Sequence, residues 1–143
     1  MTTRFLCMLA LGSAMLFATG CGKHKEQVLH QRVQTCTQLM VDEKFDAAVD
    51  YCDPDVVTRE GRTKVAGILK SGVGFGKWLG QLGGRKSAGF DVRKIDFDSS
   101  KTRATIQVVY VTTDANGGDR KEFPTDQAWA LKNGVWYATQ KER

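Results

Sequence analysis

The fold class is decided by residues 129–137, which read Trp-Ala-Leu-Lys-Asn-Gly-Val-Trp-Tyr. The central Asn133-Gly134 is typical of a two-residue turn between antiparallel strands, because both residues tolerate a positive φ. Large apolar and aromatic side chains flank the turn on both sides, as expected of two paired strands. The first of these strands is predicted over residues 120–132, starting irregularly at Pro124, since proline cannot donate a hydrogen bond to a neighbouring strand.

Upstream of this hairpin, residues 88–113 also alternate between apolar and polar side chains, which is the period of a β-strand. Phe90 and Val92 share one phase, and Ile95 resumes the alternation one residue out of phase. We expect a bulge near residues 93–94 to absorb this slip and to bend the sheet. The second half of the chain therefore predicts a curved antiparallel sheet.

The first half of the mature chain has helical periodicity. Apolar residues recur at one face of a helix at positions 29, 33, 36 and 40. A second short helix is expected over residues 45–52, after a turn at 42–44. These two helices would form a hairpin that packs on the curved sheet, so the sequence predicts an α+β fold.

The N-terminal residues have the features of an export signal. Arg4 precedes an apolar run that is too short to span a bilayer, and small residues at 18–20 precede Cys21. This arrangement resembles the lipobox of bacterial lipoproteins, in which the chain is cut before the cysteine and the cysteine is acylated with fatty chains such as palmitate. The resemblance implies a signal peptide over residues 1–20 and a membrane anchor at Cys21.

The same resemblance implies a short tether over residues 21–26, less than about 20 Å long when extended, and a single domain over residues 27–143. Gly22 stands where lipoproteins retained in the inner membrane tend to carry Asp, which implies the outer membrane, facing the periplasm. The alternative is an ordinary secreted protein in which Cys21 forms a disulfide. Cysteine parity favours lipidation, because loss of Cys7 with the signal and acylation of Cys21 leave an even pair.

That pair, Cys36 and Cys52, lies eight residues either side of Lys44. In a hairpin of two helices, both thiols would then stand about 12 Å from the turn and on facing apolar stripes. Because an exported protein meets an oxidising compartment, we expect a Cys36–Cys52 disulfide, with two buried free thiols as the alternative. A redox-active pair is disfavoured, since Cys-x-x-Cys spacing is absent from the sequence.

Residues 64–86 are unusually rich in glycine and leave three readings open. The favoured one is a loop and loose helix over the core, in which glycines allow close backbone approach. A second is an amphipathic segment on the membrane surface, with Trp78 beside lysines. The third is a mobile lid over a ligand pocket.

The order of two helices, a middle segment and a meander of long strands resembles the nuclear-transport-factor-two-like fold, also called cystatin-like. Residues 45–57 look like the second helix of that superfamily and its exit, and residues 129–137 look like its closing hairpin. The resemblance implies a cone-shaped pocket between sheet and helix, and dimers through the sheet. The candidate pocket or interaction residues are Tyr110, Trp78, Trp129 and Trp136.

Enzymes of that superfamily place an Asp or His base in the cone. Here His24 and His30 precede or open the first helix, and Asp50, Asp53 and Asp55 are interpreted as solvated or capping residues. The sequence has no acid–base pair, no metal-ligand spacing and no sign of a cofactor. The net charge of +5 fits an anionic membrane surface better than nucleic acid, because an exported protein rarely meets nucleic acid.

The leading hypothesis is therefore a non-catalytic binding or interaction module, anchored by lipid in the bacterial envelope. Its partner would be a small apolar ligand in the cone or an envelope protein on the sheet. The alternatives are an isomerase- or dehydratase-like enzyme that uses the cone, and a structural lipoprotein that acts on lipid through residues 64–86.

Overall fold

The computed structural model describes residues 20–82 and 84–140, without the side chains of residues 20, 21 and 73–82. Four helices precede four strands, and the strands form one antiparallel sheet in the order β1-β2-β3-β4. The α+β prediction is confirmed. The elements are α1 Gly20–Val41, α2 Phe45–Ala48, α3 Pro54–Glu60, α4 Arg62–Leu82, β1 Lys86–Phe97, β2 Arg103–Thr113, β3 Lys121–Lys132 and β4 Val135–Thr139.

The predicted bulge is present in β1. The pairing of β1 with β2 shifts register between Val92 and Lys94, which is where the alternation slips. Because of this shift, the apolar residues on both sides of the bulge point to the same face of the sheet. That face, which packs against α1, is called the inner face below, and the opposite one is the outer face.

The predicted hairpin is also present. Asn133 and Gly134 both have positive φ, at 50° and 79°, as the tight two-residue turn requires. The expected irregularity at Pro124 is wrong, because β3 runs without interruption and Pro124 pairs with Val109. A proline is tolerated there because β4 pairs with β3 only from Ala128 onward, so Pro124 has a neighbouring strand on one side only.

The predicted apolar stripe of α1 forms the centre of the core. Leu29 and Val33 are fully buried and Cys36 nearly so, all packed against the inner face. Trp129 and Trp136, each 1% exposed, are the largest side chains buried with them. The sheet and α1 therefore join through one continuous apolar layer.

The predicted second helix is wrong beyond Ala48. α2 ends there, and a 3-10 turn over Val49–Tyr51 leads to Cys52, which is extended and pairs with Ala138 of β4. Cys52 is thus attached to the edge of the sheet and not to a helix that faces Cys36. Both cysteines are free thiols in the structure, with Cys52 close enough to Cys36 to raise its pKa, and the disulfide stays a prediction.

The loop predicted within the glycine-rich segment is wrong, whereas a helix packed on the core is present there. Residues 62–82 form one helix, α4, despite their glycines. A Cβ atom placed on Gly67 or Gly72 would meet nothing within 4 Å, so these glycines do not serve close backbone approach. Burial of Val65 and Ala66 against Val49 holds the first turns of α4 in place, since tertiary packing outweighs weak helix propensity.

The tether expected over residues 21–26 is helical in the structure. α1 begins at Gly20 and continues without a break to Val41, so residues 22–28 extend beyond the core as exposed turns of the same helix. No helix among the described residues is long and apolar enough to cross a membrane.

Candidate functional site

The interior of the predicted cone is occupied by the protein itself. Side chains of α1 fill the space against the inner face, where Ile106 and Val108 are fully buried. Two cavities lined by described residues, of about 370 and 330 Å³, both open to solvent. These two cavities are surface grooves.

A short chain of hydrogen bonds crosses the inner face beside Cys36. The Trp129 indole N–H donates to Oε1 of Gln127 at 3.1 Å. The Gln127 side chain also hydrogen-bonds the hydroxyl of Tyr110, which is inward as predicted. Because Tyr110 and Trp129 already have partners, neither presents an unsatisfied donor to a substrate.

Burial governs the ionisation of the groups in this region. It raises the pKa of the Cys36 thiol to about 12, assisted by nearby Cys52 and opposed by Arg32. It also raises the pKa of the Tyr110 hydroxyl, with Cys36 close by. Both groups are therefore neutral at physiological pH, and a thiol without thiolate character is a poor nucleophile.

The described residues place no acid–base pair in the cone. The only buried polar or charged side chains among them are Thr37 and Asp53, and the hydroxyl of Thr37 has no hydrogen-bond partner there. His24 is exposed and His30 half-buried on α1, outside the core cluster. No group of three or more potential metal ligands occurs in the described part of the chain.

Asp53 has a structural role. Its carboxylate caps α3 by accepting the N–H of Asp55 at 3.0 Å, and it accepts a bond from Nζ of Lys132 at 2.7 Å. Burial alone would raise the pKa of Asp53, but its bonds from Lys132, Asp55 and Thr139 together lower it. The capping interpretation is confirmed, whereas a solvated Asp53 is wrong, because only 7% of the residue is exposed.

Arg32 joins α1 to the edge of the sheet. Its Nε donates to the Trp136 carbonyl at 2.7 Å, and its guanidinium lies 4.6 Å from the centre of the Tyr51 ring and 5.5 Å from that of Tyr137. A cation between two aromatic faces is attracted by both rings. These contacts hold α1 against the β3–β4 hairpin at the position of Arg32.

A groove of about 370 Å³ lies further along α1, beside β1. Gln34, Thr35, Gln38 and Leu39 line it on α1, and Phe90 lines it on β1. Its lining carries no charged side chain. Next to it the strand register sets Phe90 opposite Tyr110 and Tyr110 opposite Phe123, which forms an aromatic row across the inner face.

Phe123 at the end of this row is 49% exposed, which is unusual for so large an apolar side chain. We call the groove and Phe123 together the groove surface. It combines an aromatic row with uncharged amide and hydroxyl groups, the composition of many sites that bind neutral ligands or partner proteins.

The outer face of the sheet carries a bridge of charges. The two terminal guanidinium nitrogens of Arg93 each donate to one carboxylate oxygen of Glu122 at 2.7 Å. Since β1 and β3 flank β2, this bridge crosses β2 near Val109 and Val111, which are 2% and 4% exposed.

The structure separates the predicted site residues. Trp129 and Trp136 are each 1% exposed in the core, and Trp129 also lines the cavity of about 330 Å³, so their role as pocket or interaction residues stays a prediction. Tyr110 is inward and joins the aromatic row. The side chains of Trp78 and Cys21 lie outside the described residues, and lipidation of Cys21 stays a prediction.

Two features of the site escaped the sequence reading. Gln127 is two residues from Trp129 on β3, so both side chains point to the inner face. A polar residue at a position where the alternation predicts an apolar one could have identified Gln127 from the sequence. The groove depends on where α1 crosses β1, for which the sequence holds no local signal.

Comparison of the fold with solved structures finds a candidate NTF2-like transpeptidase of Campylobacter jejuni. It is 14% identical, with a TM-score of 0.55, and the match covers 76% of this chain and 94% of the other. The chain has the nuclear-transport-factor-two-like fold. At this identity the likeness shows the fold alone.

A SEC-C motif containing protein of Rhodopseudomonas palustris also matches, at 13% identity and a TM-score of 0.48, over 78% of this chain and 74% of the other. No protein-family model matches the chain. No curated protein matches it either.

Proposed function

We propose that this protein is a lipoprotein of the bacterial envelope that acts as a non-catalytic binding module. Acylated Cys21 anchors it, most simply in the outer membrane facing the periplasm, and the groove surface takes up its ligand or partner. The observation that carries the proposal is the filled cone, in which Trp129, Gln127 and Tyr110 bond one another. Catalysis would need an acid–base group beside the bound substrate, and none of the five side chains that line the groove is charged.

The first test concerns the anchor. In cells grown with labelled palmitate, we expect the wild-type protein to take up label and to enter the detergent phase on phase separation. Cys21→Ser removes the only acyl acceptor of the lipobox, so this variant should lose both properties. A Cys21→Ser protein that still partitions into detergent would contradict the anchor.

The second test concerns the binding surface. A photo-crosslinking amino acid placed at Thr35 or Phe123 should give an adduct of defined mass in intact cells, because both positions belong to the groove surface. Asn116 is the matched control, since it is exposed in the β2–β3 turn and outside the groove. Equal yields at all three positions would mean that the groove surface binds nothing in particular.

A further inference from the structure

The two ends of the sheet are related differently to the start of α1. One end carries the turn between β1 and β2 and the turn between β3 and β4, and we call it the hairpin end. Arg32 reaches the Trp136 carbonyl beside this end, whereas Leu39, two turns later, lines the groove with Phe90. α1 therefore runs from the hairpin end towards the groove surface.

Residues 22–28 project past the hairpin end as helix. All of them are exposed, and Leu29 is the first residue of α1 in the core. The packed part of α1 supplies the helix nucleus, so these turns need only propagation, which is much less costly than starting a helix. Between residue 21 and Leu29 the helix rises about 12 Å, at 1.5 Å per residue.

Residues 22–28 carry two lysines and one acidic residue, Glu26, so these turns have a small positive charge, and the lysines are the residues nearer to Cys21. Lys23, His24 and Lys25 follow one another at about 100° around the helix axis, so they surround it on several sides. Neither lysine forms an ion pair with any residue that the structure describes. Basic side chains directly beside a lipid anchor are attracted to anionic headgroups.

From these positions we infer that α1 holds the domain on the bilayer in one orientation, with its hairpin end towards anionic phospholipid headgroups and its groove surface away from them. This inference rests on the proposed lipidation of Cys21. Gln38 in the groove is about 25 Å along the helix from residue 21, which is well clear of the headgroups. The groove would then meet soluble molecules or envelope partners, and not the lipid of its own membrane.

The test uses the full chain, matured in cells and reconstituted in phosphatidylethanolamine–phosphatidylglycerol vesicles that contain a headgroup-bound quencher. A fluorescent amino acid is placed at Ser99, in the hairpin-end turn, or at Asn116, in the opposite turn. Quenching at Ser99 should exceed quenching at Asn116 several-fold. Equal quenching of the two positions would overturn the fixed orientation.

Two insertions between Glu26 and Gln27 separate orientation from simple proximity. A flexible Gly-Ser insertion interrupts the helix, so the quenching ratio should fall towards one. A matched insertion of two helical turns of alanine keeps α1 continuous and should preserve a higher quenching at Ser99. A ratio that survives the flexible insertion would also overturn the inference.

Failure of the anchor itself gives a different result. If Cys21 is not acylated, the wild-type protein will not stay on the vesicles after flotation, and it will behave as Cys21→Ser is expected to behave. That result would contradict both the proposed function and the proposed orientation. If the wild-type protein floats with the vesicles and quenching is equal at Ser99 and Asn116, only the proposed orientation is contradicted.

Discussion

At the scale of single residues, polar groups bind the separate elements together. Asp53 links the start of α3 to Lys132 at the end of β3, and Arg32 links α1 to β4. Both contacts join residues far apart in the sequence, and each satisfies a group that would be costly to leave unpaired. The helices are thus fixed to the sheet by specific bonds as well as by apolar packing.

Substitution of Asp53 separates its two roles. Asp53→Ala should destabilise the protein by about 1 kcal/mol or more, because the helix cap and the partner of Lys132 are both lost. Asp53→Asn keeps a capping side chain and should be less harmful. Urea unfolding of both variants at neutral pH measures the difference, and equal losses would contradict the cap.

The pKa of Asp53 also gives a pH dependence. Because its pKa is lowered from the ordinary value of 3.8, the ionised form stabilises the fold, fully above that value, and the contribution is lost as pH falls through the folded-state pKa. The stability gap between wild type and Asp53→Asn should therefore narrow below about pH 4. A gap that stays constant with pH would show that the charge has no role.

The two thiols should differ in reactivity. With its pKa raised to about 12, buried Cys36 should be alkylated more slowly than half-buried Cys52 in the folded, reduced domain. If both cysteines are free, as in the structure, the alkylating reagent should modify both of them in the unfolded chain without reductant. Absence of label at both would establish the Cys36–Cys52 disulfide that the sequence predicts. Mass spectrometry of peptides reads out each site.

At the scale of elements, α4 shows packing overriding propensity. Its glycines argue against a helix, yet burial of Val65 and Ala66 fixes its first turns and the chain stays helical to Leu82. In β1 the local sequence was sufficient, because the alternation of apolar and polar residues shifts by one residue where the bulge occurs. Period-two patterns report register directly, whereas a glycine count reports only a weak preference.

Gly67→Ala should stabilise the protein by up to about 1 kcal/mol, because alanine loses less backbone entropy in a helix. The new Cβ would meet nothing within 4 Å, and Gly67 does not have a positive φ. Gly89→Ala is the control, since Gly89 in β1 has a φ of +113° and an alanine there would be strained. Thermal unfolding of both variants measures the change in stability. A destabilised Gly67→Ala protein would argue against a helical α4.

At the scale of the whole molecule, one apolar layer between α1 and the inner face holds the helices and the sheet together. Trp136 and Trp129 take up much of this layer. Outside this layer, the described surface includes the groove beside β1, the half-exposed Phe123 and the exposed turns of α1.

Removal of a core indole should accordingly be far more harmful than removal of an exposed ring. Trp136→Ala should cost about 3–5 kcal/mol, since it leaves a cavity beside Phe97, whose ring centre lies 5.8 Å away. Phe123→Ala should cost about 1 kcal/mol or less, because its side chain is half exposed. Urea unfolding followed by circular dichroism measures both, and similar losses would contradict the placement of the core.

The sequence by itself determined the α+β class, the stripe of α1, the bulge near residues 93–94 and the Asn133-Gly134 turn. Each of these depends on side chains a few residues apart, so local periodicity and turn chemistry suffice to specify them. Only the tertiary structure decided that Cys52 joins the sheet edge, that α4 is a helix and that the cone is filled. These outcomes depend on contacts between distant segments, such as Cys52 with Ala138 or Val49 with Val65, whose energies no local pattern records.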